Sequence, residues 1–166
     1  MLPIQEVKYL LGQSYCRETS ADPDGWTPEN PSWGHCAVAT LVAQDVLGGR
    51  IIRGSLENTP FAKMRSHYWN EFPHVVGATV DFTASQFGES YPKEVVAGAE
   101  ERAREYLLSN EQTKSRYGIL KEKFSAALTS NPLFLDEKFQ RCWELAFSGE
   151  AHCPKMRFAC LVYDGQ

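Results

Sequence analysis

Along the first fifteen residues, apolar side chains return at every third or fourth position. Ile4, Val7, Leu10 and Leu11 form one stripe, which predicts an amphipathic helix over about 4–15. The pattern then lapses. Pro23, Gly25, Pro28, Pro31 and Gly34 punctuate residues 20–34, no period survives, and the segment reads as a loop. Helical spacing resumes with Ala37, Val38, Leu41, Val42 and Val46, predicting a second helix over about 36–47. Gly48 and Gly49 stop it, because glycine takes the left-handed conformation that follows a helix end.

The period then shortens. Residues 50–54, 66–72 and 78–83 read as strands, the last two joined as a hairpin through a turn at 73–77. In the third strand Val80 and Phe82 alternate with Thr79, Asp81 and Thr83, so Asp81 faces away from Phe82. From Tyr91 on, the pattern turns helical again. Residues 100–108 and 111–128 are rich in Glu, Lys, Arg, Ala and Leu, and Asn131-Pro132 breaks them. Asp136 caps a further predicted helix through about 147, with Phe139, Trp143 and Phe147 on one face. Met156 to Tyr163 alternates like a final strand.

Composition narrows the class. The 166 residues suffice for one domain with a sizeable core, and 43% hydrophobic with 23% charged residues is ordinary for a globular chain. A net charge of −4 with no basic cluster argues against nucleic acid or an anionic membrane as partner. No apolar run approaches the ~18 residues of a spanning helix, and the N-terminus shows no basic-then-apolar leader. The five cysteines, Cys16, Cys36, Cys142, Cys153 and Cys160, are odd in number, scattered and without a C-x-x-C. That pattern suggests a reducing compartment, with cytoplasmic location as the expectation.

The candidate chemistry centres on Cys36, His67 and Asp81. Cys36 stands in Trp33-Gly34-His35-Cys36-Ala37, where loop becomes helix. A thiol there faces unsatisfied backbone amides and the positive end of the helix dipole, which favour thiolate. Gly34 leaves room for a carbonyl to approach. A lone cysteine is more often a small buried hydrophobe, but the aromatic, proline-interrupted approach to this one points to chemistry. His35 diverges from Cys36 as an i, i+1 neighbour and is expected at the rim. His67 opens a strand, and Asp81 follows fourteen residues later on its predicted hairpin partner, close enough for a carboxylate to take the imidazole N–H. Singly, these would be a satisfied core histidine and an exposed strand aspartate. Thiol, imidazole and carboxylate in this order are what covalent acyl transfer needs.

Other candidates carry less. Asp45 is expected to be exposed or bonded to residues 51–53, and His74 to lie exposed in a turn. His152 and Cys153, with Cys142 and Cys160, match no zinc spacing, so no metal is expected. The run Glu100 to Glu105 reads as a solvated helix face. No G-x-G-x-x-G or P-loop is present, and no cofactor is expected.

His67-Tyr68-Trp69-Asn70-Glu71 followed by Val80-Asp81-Phe82-Thr83 resembles the H-x-W-x-E … D-x-T signature of the transglutaminase-like superfamily of papain-fold cysteine enzymes. More narrowly, Trp33 to Ala37, Asp45, Gly48 to Ile51, His67 to Asn70 and Asp81 to Phe87 are similar to the small bacterial YunG-type family, to which no reaction is assigned. The likeness spans roughly residues 26–90. It implies Cys36 as nucleophile, His67 as general base and then acid, and Asp81 as the group that orients it. Papain-type enzymes add an oxyanion-hole glutamine six residues before the nucleophile, the offset held here by Asn30. Transglutaminases use a tryptophan indole, for which Trp33 or Trp26 stands available. Gly34 and Trp69 complete the expected substrate-binding set.

The fold expected is α+β: a papain/transglutaminase-like core of about 1–90, its cysteine-bearing helix packed on an antiparallel sheet, and a C-terminal extension of helices and a last strand over 91–166, all in one domain. The expected function is cleavage or transfer of an acyl group from a small-molecule or peptide amide, through an acyl-enzyme. A different class remains open at this point: a non-catalytic binding protein using the Trp26–Trp33 loop as its recognition surface. An acetyl-CoA-dependent transferase is disfavoured by the lack of a visible basic site for CoA phosphates.

Overall fold

The computed structural model describes residues 2–73 and 78–131. Residues 74–77 of the expected 73–77 turn, with His74, the helix from Asp136, the strand from Met156, and Cys142, His152, Cys153 and Cys160 lie outside the described residues.

The chain is α+β, with helices packed on a four-stranded antiparallel sheet of order β3-β2-β1-β4. Helix α1 covers Ile4–Ser14 and buries Val7, Leu10 and Leu11, the stripe its sequence predicts. Helix α2 covers Cys36–Leu47. It is more central than its spacing suggests, because Ala39, Thr40 and Ala43 are buried along with Val38, Leu41 and Val42. Gly48 and Gly49 follow with φ of 71° and 79°. A Cβ on Gly49 would stand 2.5 Å from the Glu71 carbonyl oxygen and 2.6 Å from the Phe72 ring, so the turn from α2 into the sheet demands glycine there.

Strands β1 (Arg50–Ser55) and β2 (Ser66–Phe72) pair antiparallel with Ile52 opposite Trp69, and β3 (Ala78–Val80) pairs with β2. Alternation sends neighbours to opposite faces. Ile51 packs with Leu41 of α2, whereas Ile52 and Trp69 form a separate cluster with Leu56, Phe87 and Val95.

Residues 100–102, expected as helix, form β4 (Glu100–Arg102) against β1. Arg53 meets Glu100 at 3.3 Å, and Arg50 meets Glu101 at 3.4 Å and Glu71 at 2.8 Å. Cross-strand pairing of opposite charges at a sheet edge overrides the helical propensity of these residues. Helix α3 follows over Arg104–Leu108 and α4 over Glu111–Thr129. Asn110 caps α4 by accepting the Thr113 N–H at 2.9 Å. The α4 stripe Leu120, Phe124 and Leu128 enters the main core beside α1 and α2, each such side chain contributing about 2 kcal/mol of burial. None of the helices among the described residues is long and apolar enough to cross a membrane.

Candidate active site

Cys36 is the first residue of α2, and no side chain caps that helix start, so the first-turn amides face outward toward whatever occupies its N-terminal end. The residue is 6% exposed and lines a cleft of about 1030 Å³ together with Trp33, Gly34, Ser66, Tyr68 and Arg116. Its Sγ lies 4.0 Å from the Ser66 carbonyl oxygen. Gly34 turns the chain into the helix at φ +75°. The space over its Cα is filled by the chain itself: a Cβ would stand 2.4 Å from Ser20 Oγ and 2.9 Å from the Ala21 nitrogen. Glycine is thus required there to seat the 20–22 loop, a different reason from the open approach expected.

His67 is fully buried at the start of β2, with the rings of Phe87 at 4.8 Å, Trp69 at 5.8 Å and Tyr91 at 6.3 Å. Its Nε2 lies 2.6 Å from Asp81 Oδ2. Asp81 sits one residue past the end of β3 and reaches back diagonally, since the register sets Val80 opposite Asn70. Its carboxylate is held on all sides. The Thr83 N–H and hydroxyl donate to Oδ1 at 2.9 and 3.1 Å, and the Tyr91 hydroxyl donates to Oδ2 at 3.2 Å. Cys36 stands close enough to the His67 ring to favour its protonated form. With Nε2 committed to Asp81, Nδ1 is the nitrogen left for the thiol.

Burial alone would discourage the imidazolium. The hydrogen bond to the Asp81 carboxylate and the nearness of Cys36 overcome it and hold the His67 pKa up at about 9. Nε2 donates to the carboxylate, and in the charged ring Nδ1 carries a proton as well.

The remaining expected residues are placed differently. Asn30 donates its amide to the Gln86 carbonyl at 3.0 Å, tying the approach loop to the 84–90 segment. The Trp33 indole donates to Asp22 Oδ2 at 2.9 Å and the Trp26 indole to the Pro31 carbonyl at 3.0 Å, so both N–H groups serve the loop. Trp69 is 3% exposed in the core cluster beneath His67. His35, expected at the rim, is fully buried. Its Nδ1 lies 2.9 Å from the Trp33 carbonyl and its Nε2 2.8 Å from Thr19 Oγ1. Burial lowers its pKa to about 4 despite those contacts, which makes it a neutral peg under the loop. Asp45 is neither exposed nor bonded to β1: Arg104 lies 3.0 Å away, Lys121 3.4 Å, and the Tyr117 hydroxyl donates to it. It fastens α2 to α3 and α4.

Several residues of the site carry little or no signal in the sequence. The Thr83 bonds to Asp81 follow from an Asx-type turn, a local signal that D-x-T carries. Tyr91 carries no such signal, nor does Gln86, whose buried amide donates to the Thr83 carbonyl at 3.0 Å and lies 3.4 Å from His67 Nδ1. Arg65, at φ 61°, is the single non-glycine residue with positive φ among the described residues, and lines the cleft just before Ser66. Arg116 reaches the cleft from α4, eighty positions beyond Cys36.

The family described as "YunG protein" matches residues 3–129. A protein of Bacillus subtilis (strain 168), titled "Uncharacterized protein YunG", is 32% identical over 127 residues, covering 76% of this chain and 96% of that protein. No solved structure matches the chain.

Proposed function

This chain belongs to the YunG family, and on that premise we propose that it is a thiol enzyme that cleaves or transfers acyl groups from amides through a Cys36–His67–Asp81 triad on a papain/transglutaminase-like core. The observation that carries the reading is the buried His67–Asp81 pair, 2.6 Å long, whose other ring nitrogen is left for the thiol at the head of α2. A core histidine satisfied for packing alone needs no carboxylate held by three further donors.

In this mechanism the Cys36 thiolate attacks the carbonyl carbon of an amide. The C–S bond forms, and the oxyanion is received by the uncapped amides at the start of α2, beginning with Cys36 N–H. His67 gives its Nδ1 proton to the leaving nitrogen as the C–N bond breaks, and an amine departs. Water, or an acceptor amine, then gives a proton to His67 and attacks the thioester, and the C–S bond breaks to return the Cys36 thiolate and the His67 imidazolium with a carboxylic acid or a new amide. Asp81 keeps the ring in one orientation throughout and stabilises the imidazolium. The binding-protein alternative is not favoured, because both indole N–H groups of the Trp26–Trp33 loop are used internally.

The test is an acyl-donor panel of p-nitroanilides, thioesters and glutamine amides, read by product release and by intact mass. The expected result is an acyl adduct on Cys36 and turnover that Cys36→Ala abolishes while the fold stays intact. Turnover unchanged in Cys36→Ala contradicts the mechanism.

A further inference from the structure

The protein carries a net charge of −4, yet the cleft beside Cys36 has the opposite sign. Its charged lining among the described residues is Lys63, Arg65, Arg116 and Asp22. Asp22 is already engaged, accepting from the Trp33 indole at 2.9 Å and from the Gly25 N–H at 3.2 Å. Lys63 and Arg65 stand exposed at the rim, while Arg116 is half-buried. A cationic concavity on an acidic protein focuses the field and draws anions specifically to that cleft.

Arg116 has the clearest need of a partner. Its Nε donates to the Gln112 carbonyl at 3.3 Å and its Nη2 to Thr113 Oγ1 at 3.2 Å, both on its own helix. Its Nη1 is sealed from solvent and has no hydrogen-bond acceptor. A desolvated guanidinium nitrogen without an acceptor is costly, and a carboxylate is the acceptor whose charge and shape match it. Turning the end of the side chain toward the cleft would present Nη1 to a ligand lying beside Cys36.

We propose that the substrate is an anion: an amide or ester that also carries a carboxylate, which pairs with Arg116 while its reactive carbonyl lies at Cys36. The inference rests on the thiol-enzyme reading above and adds the substrate class to it. One half-buried guanidinium balances one negative charge, which favours a carboxylate over a phosphate dianion. Lys63 and Arg65 steer the anion from the rim.

The test compares two alkylating agents of similar size and unlike charge, iodoacetate and iodoacetamide. Each forms an S–C bond to Cys36 and expels iodide. Their rate ratio at Cys36, assigned by peptide mass and divided by the ratio for N-acetylcysteine, reads anion preference, because thiolate fraction cancels. The wild type is expected to favour iodoacetate. Arg116→Gln is expected to lower the normalised ratio by about tenfold, as loss of one charge-assisted hydrogen bond implies, and Arg116→Lys to retain most of it. In the wild type at constant ionic strength, glutarate is expected to protect Cys36 from iodoacetamide and the neutral glutaramide not to, a readout that stands even where Arg116→Gln fails to fold. A normalised ratio near one, indifferent to Arg116, with no glutarate protection overturns the anion inference. In that case rapid, His67-dependent alkylation by iodoacetamide leaves the thiol-enzyme reading standing. Slow alkylation by both agents overturns both.

Discussion

Two fully buried histidines flank the same thiol and come out with opposite chemistry. His35 precedes Cys36 in the chain and sits under the approach loop, against the Trp33 carbonyl and the Thr19 hydroxyl. His67 comes from the sheet and sits against Asp81. Desolvation opposes the charged ring at both places. At His35 only neutral dipoles answer it, and the pKa falls to about 4; at His67 a carboxylate and the thiol answer it, and the pKa rises to about 9. The neighbour's charge, not burial, decides which histidine holds its proton at neutral pH and which is a neutral peg.

The strongest way to break the contrast is Asp81→Asn, which removes the charge and leaves the shape. His67 then has burial without its answer, as His35 does. Loss of one partner from a buried pair is expected to cost about 3–5 kcal/mol in urea unfolding, and Cys36 alkylation at pH 7 is expected to slow by about tenfold or more as the thiolate fraction falls.

The pH dependence of stability sharpens the comparison next. Between 6.5 and about 9 the folded state holds a proton on His67 that the unfolded state releases, so this contribution is complete below 6.5 and is lost as pH rises through about 9. Between 6.5 and about 4 the unfolded state protonates His35 and the folded state does not, so stability falls as pH drops through that window. Each limb is worth ~3 kcal/mol. Chemical denaturation from pH 4 to 9 should flatten on the alkaline side in His67→Gln and on the acid side in His35→Gln.

Much of this frame was legible in the sequence, for reasons that are local. Strand β2 begins and ends at the expected Ser66 and Phe72, and α2 runs from Cys36 to Leu47 between a proline-rich loop and a glycine pair. The order of thiol, imidazole and carboxylate was visible because short motifs carry each one. What stayed hidden is decided by partners far along the chain. Glu100 to Arg102 became a strand because Arg50 and Arg53 offer them charge. Asp45 is bonded because α3 and α4 return over α2, and His35 is buried because the 17–20 turn closes over it. Tyr91 and Arg116 join the site through folding alone.

Smaller substitutions test the two settings individually. Thr19→Val removes the hydroxyl at His35 Nε2 and should cost about 1–2 kcal/mol in unfolding while leaving the alkaline limb in place. Tyr91→Phe removes one of four donors to Asp81 and should cost about 1 kcal/mol, with a small rise in the His67 pKa by NMR titration of the ring, because the Oδ2 charge it shared then falls on the imidazolium.

The central claim is that Cys36 and His67 work as a thiolate–imidazolium pair, and its most direct test is the rate of Cys36 alkylation by iodoacetamide against pH in wild type and in His67→Ala, with each cysteine assigned by peptide mass. The expected rate is already high at pH 6–7, well above that of the other cysteines, and sharply reduced without His67. A slow Cys36 with the pH profile of a free thiol, indifferent to the loss of His67, would contradict it.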